Sequence, residues 1–414
     1  MAVTPAASAA APRGLAGFLF IGGLGIGQII SWGTLYYSFP LIAEPMGREF
    51  GHAKASIYGA LTFGLMVASL AAYPVGVAID RGRGRAVLVL GAAAGGLLLA
   101  AWSLIDSLWA LYAVMGGIGL VQAMTLYEPA FAVVARRFGS DARRGITALT
   151  LWGGFASTVF VPVLQVLMDR LGWRNALLAL GLFNLAVLVA LHLVVTRGEP
   201  AAPAAAAPKP AEAKVPRRSG AGPVAWAVRQ PAFWGLMVAF TLYNAAFSAM
   251  TFHIYPLLLE RGLDAAAVVG TIAMIGPAQV AGRVAVWLFG RDRPIRTIGI
   301  VAAATLPVSL ILLAALPASA ATLIAFAVIY GAANGVMTIV RGLAVPEMLT
   351  REAYGAINGL LTGPSAAAKA LAPVGAAALW AATGTYDLVL WVAIAGTVVV
   401  VAGFGFAAAN AVRR

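Results

Sequence analysis

Residues 64–81 read Gly-Leu-Met-Val-Ala-Ser-Leu-Ala-Ala-Tyr-Pro-Val-Gly-Val-Ala-Ile-Asp-Arg, and residues 276–293 read Gly-Pro-Ala-Gln-Val-Ala-Gly-Arg-Val-Ala-Val-Trp-Leu-Phe-Gly-Arg-Asp-Arg. Gly64, Asp80 and Arg81 meet Gly276, Asp292 and Arg293 at an offset of 212, and Met124-Thr125 meets Met337-Thr338 at an offset of 213. Two nearly equal offsets on separate apolar runs mark an internal repeat. A repeat of this kind puts a substrate path at the interface between the two copies.

Outward from that pair, the whole chain is apolar. Of its 414 residues 61% are hydrophobic and 10% charged, with a mean hydropathy of +0.90. That is too little charge to cover a water-soluble surface. Bilayer-length runs, roughly 20 residues each, begin near Leu15, Ser56, Ala86, Leu108, Ile146 and Asn175, and again near Phe233, Ala265, Ile295, Ala320, Gly355 and Asp387. The expectation is an all-α integral membrane protein of twelve transmembrane helices. Residues 14–196 form one six-helix half and 231–410 the other. Residues 1–13 and 411–414 are tails, and the Pro- and Ala-rich stretch 197–230 is a tether.

The formal charge of +13 is a topology signal and not a nucleic-acid footprint. When the segments between runs are sorted into alternating sides, only Arg48, Lys54, Arg170, Arg174 and Arg261 fall on the poorer side. The richer side holds both termini, which the positive-inside bias places in the cytoplasm. Absence of cysteine excludes disulfides and thiolate sites. No Walker-type sequence is present, so ATP does not drive the protein. With no nucleophile beside a base, an enzyme is not expected. No cofactor and no metal are expected either.

The run Gly76-Val77-Ala78-Ile79-Asp80-Arg81-Gly82-Arg83-Gly84-Arg85 resembles the loop 2–3 signature of the major facilitator superfamily, carried by Gly76, Asp80, Arg81, Gly84 and Arg85. Ser38-Phe39-Pro40, Glu128-Pro129-Ala130, Gly153-Gly154 and Gly172-Trp173-Arg174 resemble its monocarboxylate transporter branch. In that branch an Arg in span eight meets the substrate carboxylate, and Arg283 fits it. Gln279 stands where an Asp precedes that Arg, and Leu41 where a Lys follows the Phe-Pro, so the branch's proton-coupling scheme does not carry over directly. The related oxalate:formate exchangers pair an Arg in span eight with a Lys in span eleven, where Arg283 and Lys369 lie.

Four charges fall well inside the runs: Glu128, Arg283, Arg341 and Lys369. Each costs at least about 2.5–3.5 kcal/mol at the bilayer centre, so such groups face a cavity or one another. At 1.5 Å per residue, Glu128, Arg283 and Arg341 fall in one layer roughly 12 Å inside the cytoplasmic boundary, and Lys369 lies nearer the middle. Carrying the Met-Thr match forward sets Glu128 opposite Arg341. The reading is an ion pair that gates the path, or Arg341 on substrate with Glu128 carrying a proton. The four sum to +2, which favours an anion, and an Arg fork suits a carboxylate. Arg283 and Lys369 are the expected anion contacts. Tyr36, Tyr243, Asn244 and His253 are candidate lining residues, weighed against ordinary packing.

The sequence therefore describes a multi-pass protein of the cell membrane, of the bacterial inner-membrane type. It acts as a monomer and moves a small organic anion, a mono- or dicarboxylate, by alternating access with proton coupling or anion exchange. The alternative is an exporter of larger amphipathic compounds. Its partners are the anionic solute and the lipid bilayer.

Overall fold

The computed structural model describes residues 15–138, 142–197, 223–290, 293–350 and 354–412. The side chains of Leu15, Ala16, Asp80, Arg136, residues 142–144, Pro223 and residues 354–356 also lie outside that description. So do the N-terminal tail, the last two residues, most of the expected tether, and Asp292 of the repeat.

All regular structure among these residues is helical. The first half holds α1 (Leu15–Leu35), α2 (Phe39–Phe50), α3 (Lys54–Ala78), α4 (Gly84–Ser103), α5 (Leu108–Thr125), α6 (Tyr127–Phe138), α7 (Ala142–Gly153), α8 (Ala156–Phe183) and α9 (Val189–Val195). The second holds α10 (Pro223–Val228), α11 (Pro231–Glu260), α12 (Ala265–Phe289), α13 (Ile295–Ala315), α14 (Ala320–Met348), α15 (Tyr354–Thr383) and α16 (Asp387–Ala409). The repeat is visible in this order: α3 and α12 are both 25 residues long. Helix α10 lies inside the stretch read from sequence as tether; Ala227 is fully buried on it, so this short piece is packed onto α11 and α15.

Eleven helical stretches among the described residues are long and apolar enough to cross a membrane. One of them, Gly145–Val195, runs for 51 residues, roughly 75 Å if straight and more than twice the hydrocarbon thickness of about 30 Å. It is not straight. Gly172 has φ 74° and ψ 165°, a conformation essentially closed to residues with a Cβ, and the chain turns there. The residues that follow secure the turn. Trp173 Nε1 donates to Glu49 Oε2 at 2.7 Å, Arg174 donates to Glu49 Oε1, and Arg174 Nη1 donates to the Ser103 and Ile105 carbonyls at 2.9 and 2.7 Å. Gly82, in the loop 2–3 motif, makes a second left-handed turn at φ 82°. Arg81, Arg83 and Arg85 around it are exposed. A Cβ on Gly76 would meet nothing within 4 Å, so close packing does not require that glycine.

Three helices are broken in mid-membrane, and each break is capped from elsewhere. Pro129 lacks an N–H and excludes the carbonyl four residues back, which frees Thr125 O between α5 and α6. Gln28 Nε2, from α1, donates to Thr125 O at 2.8 Å and reaches Leu126 O at 3.3 Å. In return, Gln122 Nε2 of α5 donates to Leu35 O at 2.8 Å, where α1 stops before Phe39-Pro40. The third break, at Gly154 between α7 and α8, frees Thr150 O. The halves join along two seams, α3 against α15 and α8 against α12, with α2 also meeting α11.

Candidate functional site

Between the halves lies a cavity of about 280 Å³. From the first half it is lined by Trp32 and Tyr36 at the end of α1, Ser69 on α3, Gln122 and Leu126 at the α5 break, and Glu128 in the first turn of α6. From the second half come Asn244, Arg341, Thr362 and Lys369. The breaks in α1 and α5 thus aim polar groups at one volume. A bilayer tolerates irregular backbone only where it lines such a space or is buried in protein.

Five residues singled out from sequence meet here: Lys369, Arg341, Glu128, Tyr36 and Asn244. The repeat's pairing of Glu128 with Arg341 places both on the same cavity wall system. They do not form an ion pair in this conformation. The ion pairs among the described residues are Lys54–Glu44, Arg174–Glu49 and Arg261–Asp387. Among the described residues, Arg341 Nη2 reaches Thr362 Oγ1, at 3.5 Å. Lys369 Nζ sits 5.4 Å from the Tyr36 ring centroid and 5.9 Å from that of Trp32. No protein atom among the described residues accepts a hydrogen bond from it, so its three donors are left for the contents of the cavity.

Arg283 is elsewhere. Only 8% exposed, it spans the seam between halves, with Nη1 donating to Thr150 O at 2.6 Å and Nε to Gly335 O at 3.3 Å. It caps the break after Gly153, and Tyr127 also donates to that carbonyl, at 3.4 Å. Arg283 therefore does not share the cavity lined by Glu128 and Arg341, because the freed Thr150 carbonyl claims its guanidinium. Tyr243 is likewise engaged within its own half, donating to Asn334 Oδ1 at 3.0 Å. Gln279 and Leu41 line a separate apolar space of about 40 Å³ with Tyr37, Thr251 and Tyr330.

His253 lies outside the cavity and uses both ring nitrogens. Nε2 is 2.8 Å from Pro373 O, which only accepts, so Nε2 carries the proton of the neutral ring. Nδ1 then accepts from the Tyr386 hydroxyl at 2.9 Å. Burial, with lesser contributions from Tyr58, Glu44 and Glu260, pushes the Tyr386 phenol well above its usual range; it stays protonated as the donor. Trp32, Gln122 and Thr362 escaped notice in the sequence. An aromatic or neutral polar residue inside an apolar run carries no charge to announce it.

A bundle of membrane-length helices in two similar halves, with opposite charges facing one interfacial cavity, is the build of a solute carrier. The family model for the Major Facilitator Superfamily matches residues 24–373, and the chain belongs to that superfamily. It is 29% identical to monocarboxylate transporter 11 of Homo sapiens over 267 residues, 62% of this chain and 52% of that protein. With monocarboxylate transporter 13 of Rattus norvegicus it shares 28% identity over 342 residues, 80% and 73% of the two chains. The chain thus spans about half the length of the monocarboxylate transporter 11 proteins it matches. Among solved structures, a bacterial homologue of the human lysosomal transporter Spinster aligns with a TM-score of 0.66 at 13% identity, covering 97% and 96% of the two chains. The nucleoside transporter NupG aligns at 0.67 and 15%, covering 94% and 98%. At such identities these structures speak for the fold alone.

Proposed function

We propose that this transporter is a secondary carrier of a small organic anion, a carboxylate, held in the interfacial cavity chiefly by Lys369 and on its other side by Arg341. The observation that carries the reading is the Lys369 ammonium, which lines the cavity with no hydrogen bond and no salt bridge to any of the described residues. A cation in that position costs several kcal/mol unless something neutralises it, and an anionic solute does so. Glu128, which forms no salt bridge with the described residues, takes the coupling proton or pairs with Arg341 when the cavity closes. Similarity to the monocarboxylate transporters supports the carboxylate assignment. The volume of about 280 Å³ falls below the roughly 300–1,000 Å³ typical of drug-sized sites, which favours the small solute over the larger amphipathic cargo.

In this account the turn at Gly172 divides the 51-residue stretch, giving twelve spans in two halves that rock about the cavity. The bias of the basic residues supports a cytoplasmic location for both termini, in an inner membrane of bacterial type, with one chain as the working unit. Arg283 is assigned to the seam in this conformation and not to the first contact with substrate.

Uptake of a labelled carboxylate panel into proteoliposomes tests the proposal against neutral and cationic solutes. Saturable carboxylate uptake that falls at least tenfold in Lys369→Gln is the expected result. Uptake confined to neutral or cationic solutes would refute it.

A further inference from the structure

Beyond Lys369 lies a cluster of contacts between the halves to which the transport reading assigns no part. Its centre is Lys54, the first residue of α3, at the far end of that helix from the cavity. Ser69 lines the cavity fifteen residues on, roughly 22 Å along the axis. The Lys54 ammonium pairs with Glu44 at 2.8 Å within its own half. Across the seam it lies 3.7 Å from the centroid of the Trp380 ring and 3.2 Å from the Tyr386 hydroxyl. Only 14% of the Lys54 side chain is exposed.

Each second-half partner is itself held in place. Glu260 accepts from Trp380 Nε1 and from the Tyr386 backbone N–H, both at 2.7 Å. Tyr386 donates to His253, whose other nitrogen bonds Pro373 O, one turn along α15 from Lys369. Tyr58 of the first half stacks on the His253 ring at 4.1 Å and donates to Phe252 O at 2.9 Å. Tyr36, in the cavity wall, packs on Phe252 at 4.7 Å between ring centroids. One continuous set of contacts therefore runs from the cavity to Lys54, and crosses between the halves at every level.

We propose that Lys54 is a positioning residue of the transport cycle, a cation clasped between Trp380 and Tyr386 of the opposite half that holds this end of the path closed while the cavity is open towards the other. It touches no substrate. A cation over an aromatic face is favourable when desolvated and lost when the face withdraws, so the clasp must break each time the halves rock. The clasp acts in the same way whichever solute is carried.

The chain has no cysteine, so single cysteines report accessibility directly. Ser69→Cys marks the cavity, and Thr251→Cys marks the small apolar space on the side of the clasp. In the purified transporter, a polar maleimide is expected to label S69C readily and T251C slowly. Adding Lys54→Gln should raise the T251C rate at least fivefold and lower the S69C rate. Trp380→Leu should act in the same direction, while Lys54→Arg, which keeps a cation able to stack, should preserve the original pattern. Unchanged rates in both Lys54→Gln and Trp380→Leu would overturn the proposal. A rise at both positions together would mean general loosening and would also overturn it.

Discussion

Lys369 and Arg283 are both basic groups inside spans, yet the structure treats them in opposite ways. Arg283 satisfies Thr150 O and Gly335 O, whereas Lys369 donates a hydrogen bond to none of the described residues and only nears the Tyr36 and Trp32 rings. A side chain kept for function at a cost in stability should betray itself on removal. Lys369→Met is therefore expected to leave the Tm in detergent unchanged or raise it while abolishing carboxylate uptake. Arg283→Met should lower the Tm, since the Thr150 carbonyl loses its charged donor; the cost is about 1–3 kcal/mol. Thermal melts of the two variants side by side check the contrast, and a larger loss for Lys369→Met would reverse the assignment. Glu128 offers a separate test. If it carries the coupling proton, Glu128→Gln loses accumulation driven by an imposed proton gradient but retains exchange of labelled for unlabelled solute. Loss of both, or of neither, would remove it from that role. The four charges themselves were legible in the sequence, because any ionised group in an apolar run is conspicuous. Which of them shared a cavity was not, since Arg283 was claimed by a carbonyl freed only by the break at Gly154.

The broken helices carry the site, and their sequence signals were partly legible. Pro129 and Pro40, at two of the breaks, stand in the sequence inside family-like motifs; the groups that repair the breaks carry no such mark. Gln28 and Gln122 sit 94 residues apart in the sequence, and each caps the break in the other's helix. That reciprocity depends on packing and has no local signature. It makes a clear prediction. Gln28→Leu leaves Thr125 O and Leu126 O unsatisfied and should cost about 1–3 kcal/mol. In the double variant with Pro129→Ala, the restored N–H can bond Thr125 O within a continuous helix, so the double loss should be smaller than that of Gln28→Leu alone. Additive losses in a denaturation cycle would show that Gln28 does not cap the break. At Gly172 the backbone is decisive. Gly172→Ala should destabilise the protein by roughly 1–3 kcal/mol, measured by the same melts, and a neutral result would mean the turn is made differently.

At the scale of the whole molecule, the all-helical membrane fold was readable because a bilayer imposes a length on apolar runs. The 212-residue offset between Asp80-Arg81 and Asp292-Arg293 foretold two halves, and α3 and α12 match in length as that repeat requires. The contacts between halves were less legible. Lys54 was set aside as one of five basic residues on the poorer side, yet it lies between Trp380 and Tyr386 of the other half, more than 300 residues away. His253 drew attention as a possible lining residue and belongs to that same closed end. Charge sorting finds the side of the membrane on which a lysine lies, not the ring it rests upon.

The central claim is that Lys369 holds an anion that crosses with the rocking of the halves. Counterflow tests it most directly, because it needs no driving force and does not depend on the mode of coupling. Proteoliposomes loaded with unlabelled carboxylate would be diluted into labelled carboxylate, for the natural protein, Lys369→Arg and Lys369→Gln. The account predicts a transient label overshoot for the natural protein, a reduced one for Lys369→Arg, and none for Lys369→Gln. An overshoot of full size in Lys369→Gln would contradict it.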